Sequence, residues 1–83
     1  MTSTPRKTQR ARQTEPSAAA VFGKNLREAR LRAGMTQAQV AQGAGLSLNR
    51  MSLIEQGRSD LRLSSARALA RAVGASLSDL VSE

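Results

Sequence analysis

Four glycines, at positions 34, 45, 57 and 74, cut residues 17–83 into five short pieces, and within each piece apolar residues recur three and four apart. That period belongs to a helix with one buried face, and no stretch shows the strict alternation of a half-buried strand. The expected fold class is therefore all-α, with five helices. The first is expected from about Ser17 to Ala33, with Phe22, Leu26, Ala29 and Ala33 on its inward stripe, Leu31 on its outer face, and Gly34 in the left-handed position that closes it. The second begins at Thr36, where T-Q-A-Q reads as a capping box with Gln39 reaching back to the cap. It stops by Gly45, its last turn weakened by Gly43. The third opens on Ser47 as N-cap and ends at Gly57. The fourth runs from about Leu63 to Val73 with Ala66, Leu69, Ala70 and Val73 inward. The last, Ser76 to about Ser82, carries a second capping box in S-L-S-D and apolar contacts from Leu77, Leu80 and Val81.

Residues 1–16 are of another kind. They hold both prolines and only Met as an apolar side chain of any size, with Arg6, Lys7, Arg10 and Arg12 set against Glu15 alone. They read as a basic tail ahead of a domain at 17–83, because a segment with so little to bury cannot offset its ordering entropy. Eighty-three residues suffice for one small core. The chain has no Cys, His, Trp or Tyr, which excludes disulfides, thiolate chemistry, Cys/His zinc sites and histidine acid–base catalysis. No enzyme activity, metal or cofactor is expected. A single aromatic, Phe22, leaves no platform for stacking single-stranded bases.

A net charge of +7 and a sequence pI near 11.8 call for a partner with repeated negative charge, either a phosphate backbone or an anionic membrane. No apolar stretch approaches the roughly 18 to 20 residues that span a bilayer, and no apolar signal core follows the basic start. The expected location is the cytoplasm, on the nucleoid when bound to DNA. Residues 1–16 also imitate a transit peptide in composition. The tail lacks the Trp, Phe or Leu face of an interfacial helix, which argues against membrane partnership.

Residues 37–56 carry the functional signal. Two short helices joined by Gly45 and Leu46 are the geometry of a helix-turn-helix, whose first helix crosses the DNA backbone while the second enters the major groove. Such a pair needs a small residue where the helices touch, a glycine in the turn and apolar side chains toward the bundle. Ala41 meets the first demand, Gly45 the second, and Val40, Ala44, Leu46, Met51 and Ile54 the third. On the second helix of the pair, Met51 and Ile54 define the buried side, so Asn49, Ser52, Leu53 and Gln56 point the other way. Asn49 suits adenine N6 and N7, Ser52 serves as donor or acceptor, and Leu48 and Leu53 offer apolar surface to a thymine methyl. Gln37, at the start of the first helix of the pair, is placed to meet a phosphate.

Residues 22–81, from F-G-K-N-L-R-E-A-R through M-T-Q-A-Q-V-A and I-E-Q-G to V-G-A-S-L-S-D-L-V, resemble the phage-repressor (Xre/Cro-like) helix-turn-helix domains. The resemblance implies a five-helix, lambda-repressor-like fold, a homodimer on an inverted-repeat operator in double-stranded DNA, and control of transcription, usually repression. It places Ser47, Leu48, Asn49, Ser52 and Leu53 at base-reading positions, and Gln37, Gln56 and Arg58 at phosphate-contacting ones; Thr36, Arg50 and Arg62 are further candidate phosphate contacts. It matches Arg30 and Glu55 to an ion pair that ties the first helix to the third. Leu61 and Arg62 replace the proline and small cap common in that loop, and Ala66 and Arg67 stand where larger apolar residues are usual. Arg6, Lys7, Arg10 and Arg12 either wrap the duplex as an arm or only solubilise the chain. Leu77, Leu80 and Val81 either meet a second subunit or close the monomer core. A second function class is a protein-interaction module of the antitoxin type, which binds a toxin partner and autoregulates its operon; its candidate surfaces are the basic tail and Leu31.

Overall fold

The computed structural model describes residues 17–83, so the tail and its four basic residues Arg6, Lys7, Arg10 and Arg12 lie outside the described residues. Five helices follow one another: α1 (Ala18–Arg32), α2 (Gln37–Ala44), α3 (Leu48–Glu55), α4 (Leu63–Val73) and α5 (Leu77–Val81). Among the described residues there is no strand.

Local chemistry explains most helix ends. Ser17, Thr36, Ser47 and Ser76 each sit in extended backbone and accept a hydrogen bond from a first-turn amide, satisfying one of the donors a helix start leaves open. Thr36–Gln39 and Ser76–Asp79 are reciprocal capping boxes. α4 differs, because its cap is Arg62, which gives no side-chain hydrogen bond to the helix start. The turn between α2 and α3 closes at Gly45, whose φ of 72° is a left-handed conformation that side chains with a Cβ rarely adopt.

One core lies between the helices. Phe22, Leu26 and Ala29 of α1, Val40 and Ala41 of α2, Met51 and Ile54 of α3, Ala66, Leu69, Ala70 and Val73 of α4, and Leu80 of α5 are all buried. Ala44, Leu46, Leu61 and Leu77 pack around its edge. One expectation changes here, and for one residue the structure selects between two alternatives. Ala33 is not on the buried stripe: it is the C-cap of α1 and exposed, because the helix ends before that turn reaches the core. Leu80 has 1% of its surface exposed and is used up in its own core, so it has no surface to offer a second subunit; Leu77, half-buried, and Val81, exposed, still do.

The glycine with the least room for a side chain is one that no local pattern singles out. A Cβ on Gly23 of α1 would lie 2.3 Å from the carbonyl oxygen of Ile54 and 2.9 Å from that of Glu55. Just beyond, Gly57 stands with φ of 72° where a Cβ would fall 2.8 Å from Ala20 Cα. The C-terminal end of α3 therefore lies directly on the backbone of α1, which sets the angle at which α3 projects.

Candidate nucleic-acid interface

α2 and α3 owe their relative position to a buried carboxylate as well as to apolar contact. Glu55, the last residue of α3, has a side chain 3% exposed, and Arg30 of α1 meets it in a two-pronged ion pair, with Nε 2.6 Å from Oε2 and Nη2 3.1 Å from Oε1. Arg30 Nη1 also donates to the carbonyl of Met35, just before the α2 cap. Gln37, the first residue of α2, donates from Nε2 to Glu55 Oε1 at 2.9 Å. One carboxylate thus gathers α1, the start of α2 and the end of α3. Planar guanidinium and carboxylate groups give such a pair direction as well as attraction. Removing either member would leave a buried charge uncompensated.

Gln37 is accordingly half-buried and its amide is oriented. One N–H is taken by Glu55, while the second N–H and the amide oxygen remain. Thr36 is exposed; its oxygen accepts from the Gln39 N–H and its own hydroxyl proton is left over.

Along α3, Leu48 is 53% exposed and Asn49 is exposed, whereas Ser52 and Leu53 are half-buried. The gradation follows from rotation. Leu53 lies only about 100° from buried Ile54 and Ser52 about 100° from buried Met51, so both occupy the margins of the outward stripe. Ser47 spends its oxygen on the Arg50 N–H as the helix cap. Gln56, which closes α3, donates from Nε2 to Ser52 Oγ at 3.0 Å, and Arg58 reaches Gln56 Oε1 at 3.5 Å. A polar chain therefore runs from the middle of α3 to the loop after it, and Ser52 keeps its hydroxyl proton free to donate. Gln56, Arg58 and Arg62 are all exposed.

Arg50, a candidate phosphate contact, also has a partner within the fold. Its Nη2 donates to the carbonyl of Asp60 at 3.2 Å, and its Nε is buried without a partner. The side chain turns back against residues 59–62, which makes it an anchor of the loop that carries Arg58 and Arg62. The sequence marks Arg50 as basic and near the groove, but the direction of its side chain depends on where that loop passes.

Among the described residues, Arg30–Glu55 is the one ion pair, although nine basic side chains stand against five acidic ones there. The other basic side chains have no carboxylate partner among the described residues. Among the described residues no three His, Cys, Asp or Glu side chains gather in a group that could hold a metal, and no helix is long and apolar enough to cross a membrane.

The helix-turn-helix domain family matches residues 21–82. No curated protein matches the sequence significantly. Three solved structures similar to this chain each share 29% identity with it. The clp gene regulator ClgR from Corynebacterium glutamicum superposes with a TM-score of 0.78 over 80% of this chain and 70% of that one. A hypothetical transcription factor, NHTF from Neisseria, gives 0.75 over 80% and 76%. The restriction-modification controller protein C.AhdI from Aeromonas hydrophila gives 0.71 over 75% and 94%.

Proposed function

The chain belongs to the helix-turn-helix domain family, and on that premise we propose that it is a transcription regulator, not an enzyme, that reads double-stranded DNA as a homodimeric repressor on an inverted-repeat operator. The observation that carries this reading is the outward row of α3, Leu48, Asn49, Ser52 and Leu53, framed by Gln37 on one side and by Gln56 and Arg58 on the other. Each framing side chain is held by a hydrogen bond that begins or ends on α3 or on its C-cap.

In this reading Asn49 pairs with an adenine edge. Ser52 gives its free proton to a base acceptor, and Leu48 and Leu53 cover thymine methyls. Gln37, with its second N–H, and Thr36 meet phosphate together with the open amides of the α2 N-terminus, while Gln56, Arg58 and Arg62 meet it from the other end of α3. Residues 17–83 are the binding unit and residues 1–16 add basic contacts.

A two-fold axis supplies the second half-site, about one helical turn away. Support for a paired chain comes from the apolar groove lined by Leu61, Leu63, Ala66, Leu77 and Val81. It holds two of the four large apolar side chains most exposed among the described residues, Leu63 at 66% and Val81 at 55%.

Selection from a randomised duplex library at roughly physiological salt tests the proposal, since purely electrostatic attraction is much weakened there. Enrichment of an inverted repeat is the expected result. A single unrepeated motif would refute the homodimer, and a pool without enrichment would refute sequence reading altogether.

A further inference from the structure

We infer that Glu55, whose side chain is only 3% exposed, is a positioning residue for DNA contact that acts through Gln37. The inference rests on the reading above in which Gln37 meets phosphate. The Glu55 carboxylate serves three donors. Arg30 Nε lies 2.6 Å from Oε2 and Arg30 Nη2 3.1 Å from Oε1, and Gln37 Nε2 lies 2.9 Å from that same Oε1.

The Arg30 contacts already account for the support that Glu55 gives the fold. They neutralise the carboxylate and tie α1 to the end of α3 without help from Gln37. The start of α2 does not need the Gln37 bond either. The Thr36–Gln39 capping box closes it, and buried Val40 and Ala41 seat the helix on the core. What the bond changes is Gln37 itself.

An unattached glutamine samples many rotamers, and its amide presents either its nitrogen or its oxygen outward. A carboxylate only accepts hydrogen bonds, so it admits the amide nitrogen and repels the amide oxygen. Glu55 thereby selects one sense of the Gln37 amide and holds the side chain at the start of α2 before DNA arrives. One N–H remains to donate. Ordering a rotamer-rich side chain at the moment of binding costs roughly two- to tenfold in affinity, a loss that a side chain already held avoids. Arg30 completes the arrangement by its charge. A bare carboxylate one amide away from a phosphate would repel it, whereas the ion pair is neutral.

Equilibrium binding of the full chain to a selected duplex and to an unrelated one tests this with Gln37→Ala, the paired replacement Arg30→Met/Glu55→Met, and the triple variant that combines them. The paired replacement removes both charges together and puts apolar side chains of similar length in their place, an exchange that buried ion pairs often tolerate. Circular dichroism checks that it folds. It is expected to bind both duplexes roughly two- to tenfold more weakly, with an unchanged slope of log affinity against log salt because the lost pair carries no net charge. Gln37→Ala is expected to lose at least as much. The triple variant is expected to bind no more weakly than Gln37→Ala, since without the amide Glu55 has nothing to position. A second measurement needs no variant: nitrogen-15 relaxation of the Gln37 carboxamide in the DNA-free chain is expected to give an order parameter above about 0.6, the level below which groups are flexible.

Losses that add in full in the triple variant would overturn the inference, as would a paired replacement that binds as tightly as the unmodified chain while Gln37→Ala binds weakly. A carboxamide order parameter below about 0.6 would overturn it too. Should the paired replacement not fold, the order parameter alone decides. A Gln37→Ala chain that binds as tightly as the unmodified one would overturn the phosphate reading of Gln37 and this inference with it.

Discussion

The same substitution, Gly→Ala, is expected to change stability in opposite directions at two helical positions of this chain. Gly43 lies in α2, exposed, and a Cβ there would meet only Ala72 Cβ at 3.5 Å, an ordinary contact. Helix propensity then dominates, and Gly43→Ala should stabilise the fold by roughly 0.5 to 1 kcal/mol. Gly23 in α1 would gain the same propensity, but its Cβ would stand 2.3 Å from Ile54 O and 2.9 Å from Glu55 O. Carbon–oxygen contacts settle at about 3.3 Å or more, so α1 and the end of α3 must part by about 1 Å. The obstacle is backbone and cannot rotate aside. Parting them loosens Ile54 in the core and draws Glu55 away from Arg30. Overpacking costs about 1 to 3 kcal/mol, and a backbone contact as close as 2.3 Å belongs at the upper end of that range, which leaves a net loss of about 2 kcal/mol after the propensity gain. For a chain of this size that lowers the melting temperature by roughly 8 to 16 °C, against a rise of about 2 to 8 °C for Gly43→Ala. With no Trp or Tyr to report by fluorescence, far-ultraviolet circular dichroism during heating and urea titration is the assay. Melting shifts of the same sign for both variants would refute the reasoning, because propensity alone would then explain them.

Four further outcomes follow from the interface. Glu55→Gln removes the counter-charge of a nearly buried guanidinium and should cost about 3 kcal/mol in urea unfolding; a change below about 0.5 kcal/mol would show that Arg30 finds solvent instead. On selected duplexes, Asn49→Ala should lose about 1 to 3 kcal/mol of discrimination at one base position, whereas Gln37→Ala should weaken all sequences alike. The assignment fails if the two variants give the same sequence-independent loss. Arg58→Ala should reduce the slope of log affinity against log salt by about one unit, and an unchanged slope would remove Arg58 from the phosphate-contacting set. Leu80→Ala should destabilise by about 2 to 5 kcal/mol even at concentrations where the chain is monomeric, as expected of a residue that closes its own core; a loss confined to dimer-forming concentrations would return Leu80 to the interface.

Much of the architecture is local in origin and was therefore readable along the chain. Thr36 and Gln39, Ser47 and Arg50, and Ser76 and Asp79 meet across three residues, so a cap is visible wherever its residue types stand at that spacing. The inward residues of α4, Ala66, Leu69, Ala70 and Val73, follow from helical period alone. Ala33 shows the limit, since period places it on the stripe but not whether the helix lasts long enough to bury it. Leu80 shows another: a terminal apolar residue looks the same in sequence whether it faces its own core or a partner. Arg50 shows a third: its charge is visible along the chain, but the course of residues 59–62, against which its side chain turns, is not. Asn25 carried no signal, because an asparagine on a helix is ordinary until its neighbours in space are known.

What the sequence by itself determined is the set of parts: five helices, their caps, the apolar face of each, and a helix pair whose turn residues and spacing belong to helix-turn-helix proteins. These rest on interactions between residues within one or two helical turns, where backbone geometry alone decides which side chains are neighbours. Tertiary structure decided how the parts are joined. Gly23 lets the end of α3 rest on α1, Glu55 is shared by Arg30 and Gln37, and Asn25 closes a helix that begins fifty-two residues after it. Each of these joins atoms whose separation is set by the packing of whole helices, and no periodicity along the chain encodes that distance.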